Sequence, residues 1–149
     1  MCGVFLIGNA ASLNDRLLLT IQVEGMKVKS GKVLVAIYNT EEGFCTDPMK
    51  AYKRLAVKVE DEKTSVVVPD LPNGEYAIVV VHDVNGNNKM DTNLIGLPKE
   101  DYAVSNDAKG FLGPPSFKDA TFHLAGNLTI IMRFWQNLGL DVQCFFFWF

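Results

Sequence analysis

The chain is poor in the residues that build most metal and redox centres. It has two histidines and three cysteines in 149 residues. Cys2, Cys45 and Cys144 are far apart and odd in number, and no CxxC pair exists, which excludes a structural zinc site or a thioredoxin-type motif. No apolar run approaches the roughly 20 residues that a membrane-spanning helix needs. A phosphate-cradling glycine loop and a GxSxG nucleophile elbow are both missing. Positive charge is scarce as well, with 14 Lys and Arg against 17 Asp and Glu and a net charge of -3. The densest basic stretch, Lys50, Lys53, Arg54 and Lys58, has no row of interleaved aromatics and reads as a solvated face, so no nucleic-acid partner is expected.

What remains is ordinary for one globular domain, with 48% apolar and 21% charged residues. Leu19, Ile21 and Val23 alternate with polar residues, the period of a half-buried strand. Lys32–Tyr38 and Glu75–His82 are apolar at nearly every position, as central strands are. Asp47-Pro48 reads as an N-cap and first-turn proline opening a short helix to about Arg54. Shorter strands are expected at Leu55–Val59 and Thr64–Val68, and again at Ala120–Leu124 and Leu128–Trp135. Asn73-Gly74 supplies residues tolerant of positive φ before Tyr76, whose hydroxyl should bond nearby. The expectation is an all-β fold: a single antiparallel sandwich of about seven strands, immunoglobulin-like or transthyretin-like, with one short helix and a long Asx-rich loop.

The domain should span residues 17–135. Residues 1–16 read as a signal remnant or disordered N-terminus, because the apolar start runs into Ala10-Ala11. Residues 136–149 form a tail that ends in five consecutive aromatics, Phe145 to Phe149, which cannot all face one core from one strand.

Residues 83–115 are rich in Asn, Asp and Gly, and a compact domain rarely keeps so long a loop without a functional or metal-related reason. Asp83, Asn85, Asn87, Lys89 and Asp91 stand at every second position. A tightly coiled loop turns such alternate groups inward, Lys89 through its backbone carbonyl, and hard Ca²⁺ binds such clusters of oxygens. Gly86 and Asn88 suit the positive φ that the coil needs. The position where an EF-hand has its bidentate Glu holds Leu94, so Glu100, Asp101 or the Asn93 amide must complete the shell. With two carboxylates in the motif, a dissociation constant on the order of 10⁻⁴ to 10⁻³ M is expected. The competing reading is an Asx-rich turn held by its own side-chain-to-backbone bonds.

The run from His82 to Asn93, with Leu94 to Glu100, Tyr102 to Asn106 and Pro114 to Ala120, resembles the bacterial proteins grouped as domain of unknown function 2141. The resemblance implies an exported β-sandwich and brings no catalytic residues with it. The functional expectation is therefore a non-enzymatic module, in the periplasm or at the cell surface, whose calcium-type loop braces a surface for an envelope protein or glycan. Two alternatives stand beside it. One is a metal-assisted hydrolase whose loop acids and His82 use the same ion as cofactor; a Ser-His pairing of His82 with Ser105 or Ser116 is a separate reading, disfavoured by the missing nucleophile elbow. The other is an envelope assembly subunit that engages partners through the aromatic tail.

Overall fold

The computed structural model describes residues 16–94, 99–110 and 113–134. The expected leader and aromatic tail, with Cys2 and Cys144, lie outside the described residues except for Arg16.

Eight strands form two sheets among the described residues. In chain order they are β1 (Leu17–Glu24), β2 (Lys32–Tyr38), β3 (Lys53–Lys58), β4 (Lys63–Leu71), β5 (Gly74–Asp83), β6 (Tyr102–Val104), β7 (Phe122–Leu124) and β8 (Leu128–Arg133). One sheet runs β4-β1-β8, and the other runs β3-β2-β5-β6 with β7 also paired to β5. The main core lies between them, where Leu19, Ile21 and Val23 of β1 meet Val33, Val35 and Ile37 of β2 and Ile78 and Val80 of β5. Each such side chain, removed from water, contributes about 1.5–3 kcal/mol before conformational entropy is subtracted.

The all-apolar character of β2 and β5 has a direct cause, since both are buried on both faces. Their second face carries Leu34, Ala36, Tyr38, Ala77, Val79 and Val81, and Phe44, Met90 and Ala120 cover it. Tyr38, Phe44 and Phe117 meet edge to face, with centroids 5.4 and 5.5 Å apart. The 83–115 stretch is thus not a free loop. It contains β6, which is buried at all three positions, and it supplies part of that cover.

Four details differ from the sequence expectations. Asp47 does cap, accepting from Met49 N at 2.9 Å, but the turn is a single 3-10 turn, Pro48–Lys50. Lys53 and Arg54 leave it for β3, because the backbone ladder with Ile37 and Ala36 outweighs helix propensity there. The short helix lies instead at Phe117–Ala120, where Ser116 Oγ accepts from Asp119 N. The positive φ near the β4–β5 turn falls on Asp70 (62°), at a bulge where the β1–β4 register slips between Leu17 and Leu19, rather than on Asn73-Gly74. Finally, β1 and β8 are parallel. The chain leaves β7 in one sheet and crosses to the other before β8, and Asn127 Oδ1 accepts from Leu18 N at 2.8 Å where that pair begins. Tyr76 behaves as expected, its hydroxyl donating to the Pro72 carbonyl at 2.9 Å.

Candidate metal centre

β5 and β6 are antiparallel neighbours, with Val81 opposite Tyr102, so residues 84–101 are the excursion of one long hairpin. His82 N donates to the Asp101 carbonyl (2.8 Å) and Lys99 N to the Asp91 carbonyl (2.8 Å), closing its stem. Gly31 lets the β2 approach pass under it. Its φ is +81°, and a Cβ there would lie 2.1 Å from the Asp83 carbonyl oxygen.

Asp83 ends β5 with 0% exposure. Its Oδ1 accepts from Gly86 N (2.8 Å) and Asn87 N (3.1 Å), and its Oδ2 from Asn88 N (2.6 Å). A buried carboxylate with three N–H donors is well satisfied, and it winds the chain back on itself. The two residues expected to take positive φ do so, Gly86 at 73° and Asn88 at 62°.

Beyond Asp83 the alternate side chains converge. Asn85 Nδ2 donates to Asp91 Oδ2 and Asn87 Nδ2 to Asp91 Oδ1 (2.9 Å). The Asn85 side-chain oxygen accepts from Asn87 N (3.0 Å) and the Asn87 side-chain oxygen from Lys89 N (2.8 Å). Lys89 has its side chain exposed.

Of the three groups offered as completing the shell, the structure brings in Glu100. Its carboxylate bridges the base of the loop, accepting from Val84 N (3.2 Å) and Asp91 N (3.1 Å), and the residue is 6% exposed. Burial pushes the Glu100 carboxyl above its ordinary range. The Asp91 and Val84 N–H groups pull it down, and the Asp83 and Asp91 charges push it up. Asp101 turns its carboxylate to Lys27 at 3.7 Å, and Leu94 is fully exposed. One contact had no signal in the sequence: Lys32 Nζ donates to Asn88 Oδ1 (3.0 Å) across 56 positions.

Among the described residues, no three His, Cys, Asp or Glu side chains form a ready-made metal-holding group, because Asp83 and Glu100 aim their oxygens at backbone N–H groups. The donor chemistry nevertheless suits a hard cation. Asp83, Asp91 and Glu100 share one loop without an ion pair to any of them among the described residues, and each of their carboxylate oxygens except Asp83 Oδ1, which already accepts twice, keeps a further lone pair. A half-turn of the Asn85 and Asn87 amides would present oxygen where they now present Nδ2 to Asp91.

The groups weighed for hydrolysis are engaged elsewhere. His82 is buried, donates from Nε2 to the Ser30 carbonyl (2.9 Å) and stacks on Phe134 at 5.8 Å. Ser105 Oγ accepts from Ile78 N (2.9 Å) and donates to the Ala120 carbonyl (2.6 Å). Ser116 caps the helix.

Over residues 21–131 the sequence matches a family described as uncharacterized protein conserved in bacteria, domain of unknown function 2141. No curated protein and no solved structure matches it.

Proposed function

The chain belongs to the bacterial family of domain of unknown function 2141, and on that footing we propose that it is a non-enzymatic, exported binding module of the cell envelope. Its 83–100 loop holds a calcium ion that braces a surface for a protein or glycan partner. The observation that supports this is the convergence of Asn85 and Asn87 on Asp91, in a loop whose base is closed by the carboxylates of Asp83 and Glu100. Three carboxylates around one loop repel one another, and a divalent cation would relieve that repulsion. Asp83, Asn85, Asn87, the Lys89 carbonyl, Asp91 and Glu100 supply oxygens enough for the about six to eight that calcium takes, whereas magnesium's stricter octahedron is poorly served by an all-protein cage.

Thermal melts in EDTA, then across calcium, with magnesium as control, test the reading. Free calcium at ten times a dissociation constant of about 10⁻⁴ M should stabilise the fold by about 1.4 kcal/mol. Asp91→Asn should abolish that gain while leaving the EDTA melt nearly unchanged, since both amide bonds to Asp91 are exposed and water can replace the one that is lost. A calcium-independent melt at millimolar ion would leave the loop as an Asx turn alone.

A further inference from the structure

Beside the loop, among the described residues, lies an open cleft of about 740 Å³, a volume in the usual range for ligand sites. Its floor is the outward face of β2 and β3, where Leu34 pairs with Ala56 and Ala36 with Arg54. The small side chains of Ala36 and Ala56 leave a depression. The 48–52 turn forms one wall and Asn88 with Lys89 the other. Met49 (66% exposed) and Tyr52 (47% exposed) add an apolar rim.

Every charged side chain that lines the cleft is positive. They are Arg54 and Lys89, in a chain whose net charge is -3. No carboxylate among the described residues answers them. Arg54 Nη1 rests on Met49 Sδ (2.9 Å), and Lys89 makes no ion pair among the described residues. Lys53 borders the cleft through its backbone, its side chain lying on the opposite face of β3, where Nζ donates to the Pro69 carbonyl (3.0 Å). Of the basic stretch that reads in sequence as a solvated face, Arg54 alone turns its side chain to this concave site. Lys89, from the loop, completes it.

We infer that this cleft docks an acidic peptide segment of a partner protein. Apolar side chains of that segment seat over exposed Ala56, between Met49 and Tyr52, and its carboxylates meet Arg54 and Lys89. A saccharide fits less well. The lining offers no carboxylate and a single carboxamide, Asn88, whose oxygen already accepts from Lys32, so sugar hydroxyls would find few acceptors. The proposal rests on the reading of the chain as a binding module and is independent of the ion.

The test is an amide-resolved NMR titration of the full chain in EDTA. The probe is a synthetic peptide of alternating Leu and Glu, with a Leu–Lys control and, separately, an oligogalacturonate. The expected result is movement of the Ala36, Ala51, Ala56 and Lys89 amides by the acidic peptide alone. That binding should weaken about tenfold in Arg54→Glu/Lys89→Glu. Both positions are exposed, so the variant keeps its fold, which the unchanged amides of β1 would verify. Equal binding of the Leu–Lys peptide or an unaffected double variant overturns the proposal. So does oligogalacturonate moving these amides in place of the peptide, which makes the cleft a saccharide site. Peptide shifts confined to another face overturn the cleft and keep the binding module. Silence from all three probes at millimolar concentration overturns both.

Discussion

Asp83→Asn is the most informative single change, because it alters one atom and leaves the volume intact. The native carboxylate divides its work, with Oδ1 accepting from Gly86 N and Asn87 N and Oδ2 from Asn88 N. An asparagine has one acceptor oxygen. Placed as Oδ1 it keeps the first two bonds, but its Nδ2 then faces the Asn88 N–H, donor against donor. The loss is one charge-assisted bond at a buried residue, about 1.5–3 kcal/mol. Asp83→Ala removes all three acceptors. The loop amides are only partly buried and water reaches some of them, so its cost should be about 3–4 kcal/mol rather than three times the single loss. Urea unfolding in EDTA, which removes any ion from the comparison, should rank wild type above Asp83→Asn above Asp83→Ala, with unchanged m values. Hydrogen exchange adds a sharper readout: in Asp83→Asn the Asn88 amide should lose protection while Gly86 and Asn87 keep theirs. If Asp83→Asn lies within about 0.5 kcal/mol of wild type, the carboxylate does not organise the loop and the reasoning fails.

Two further predictions concern the base of the loop. Glu100 holds its proton more tightly folded than unfolded, so its contribution to stability is greatest below the ordinary glutamate value of 4.5 and declines as pH rises from there to the raised folded value. Glu100→Gln should flatten that decline in EDTA, and because its amide can accept only one of the Val84 and Asp91 N–H groups it should cost about 1–2 kcal/mol at low pH, the difference shrinking as pH rises; an unaltered pH slope in denaturant titrations would refute the assignment. Gly31→Ala should cost about 2–4 kcal/mol, since its Cβ would overlap the Asp83 carbonyl, whereas Gly86→Ala, with open space around it and only its positive φ at stake, should cost about 1–2 kcal/mol. Equal losses in the two variants would mean that the Gly31 approach is not tight.

The parts of the fold that sequence could reveal are those governed by period and polarity. The alternation of Leu19, Ile21 and Val23 reports one buried face of β1, and the unbroken apolar runs of β2 and β5 report two. What covers that second face was hidden, because Met90 and the three residues of β6 sit in a stretch whose composition is that of a loop. The parallel pairing of β1 with β8 was equally hidden, since pairing direction follows from where the chain crosses between sheets and not from the residues of the strands. At the site, the local geometry was legible: spacing placed Asn85, Asn87 and Asp91 together, and residue type placed the positive φ at Gly86 and Asn88. Long-range choices were not. Glu100 and Asp101 are adjacent and equally acidic, and only the hairpin register turns the first toward Val84 N and Asp91 N and the second toward Lys27. The same limit explains the cleft. Arg54 and Lys89 lie 35 positions apart, and their common field arises only because the excursion from β5 folds back beside β2, where Lys32 holds Asn88.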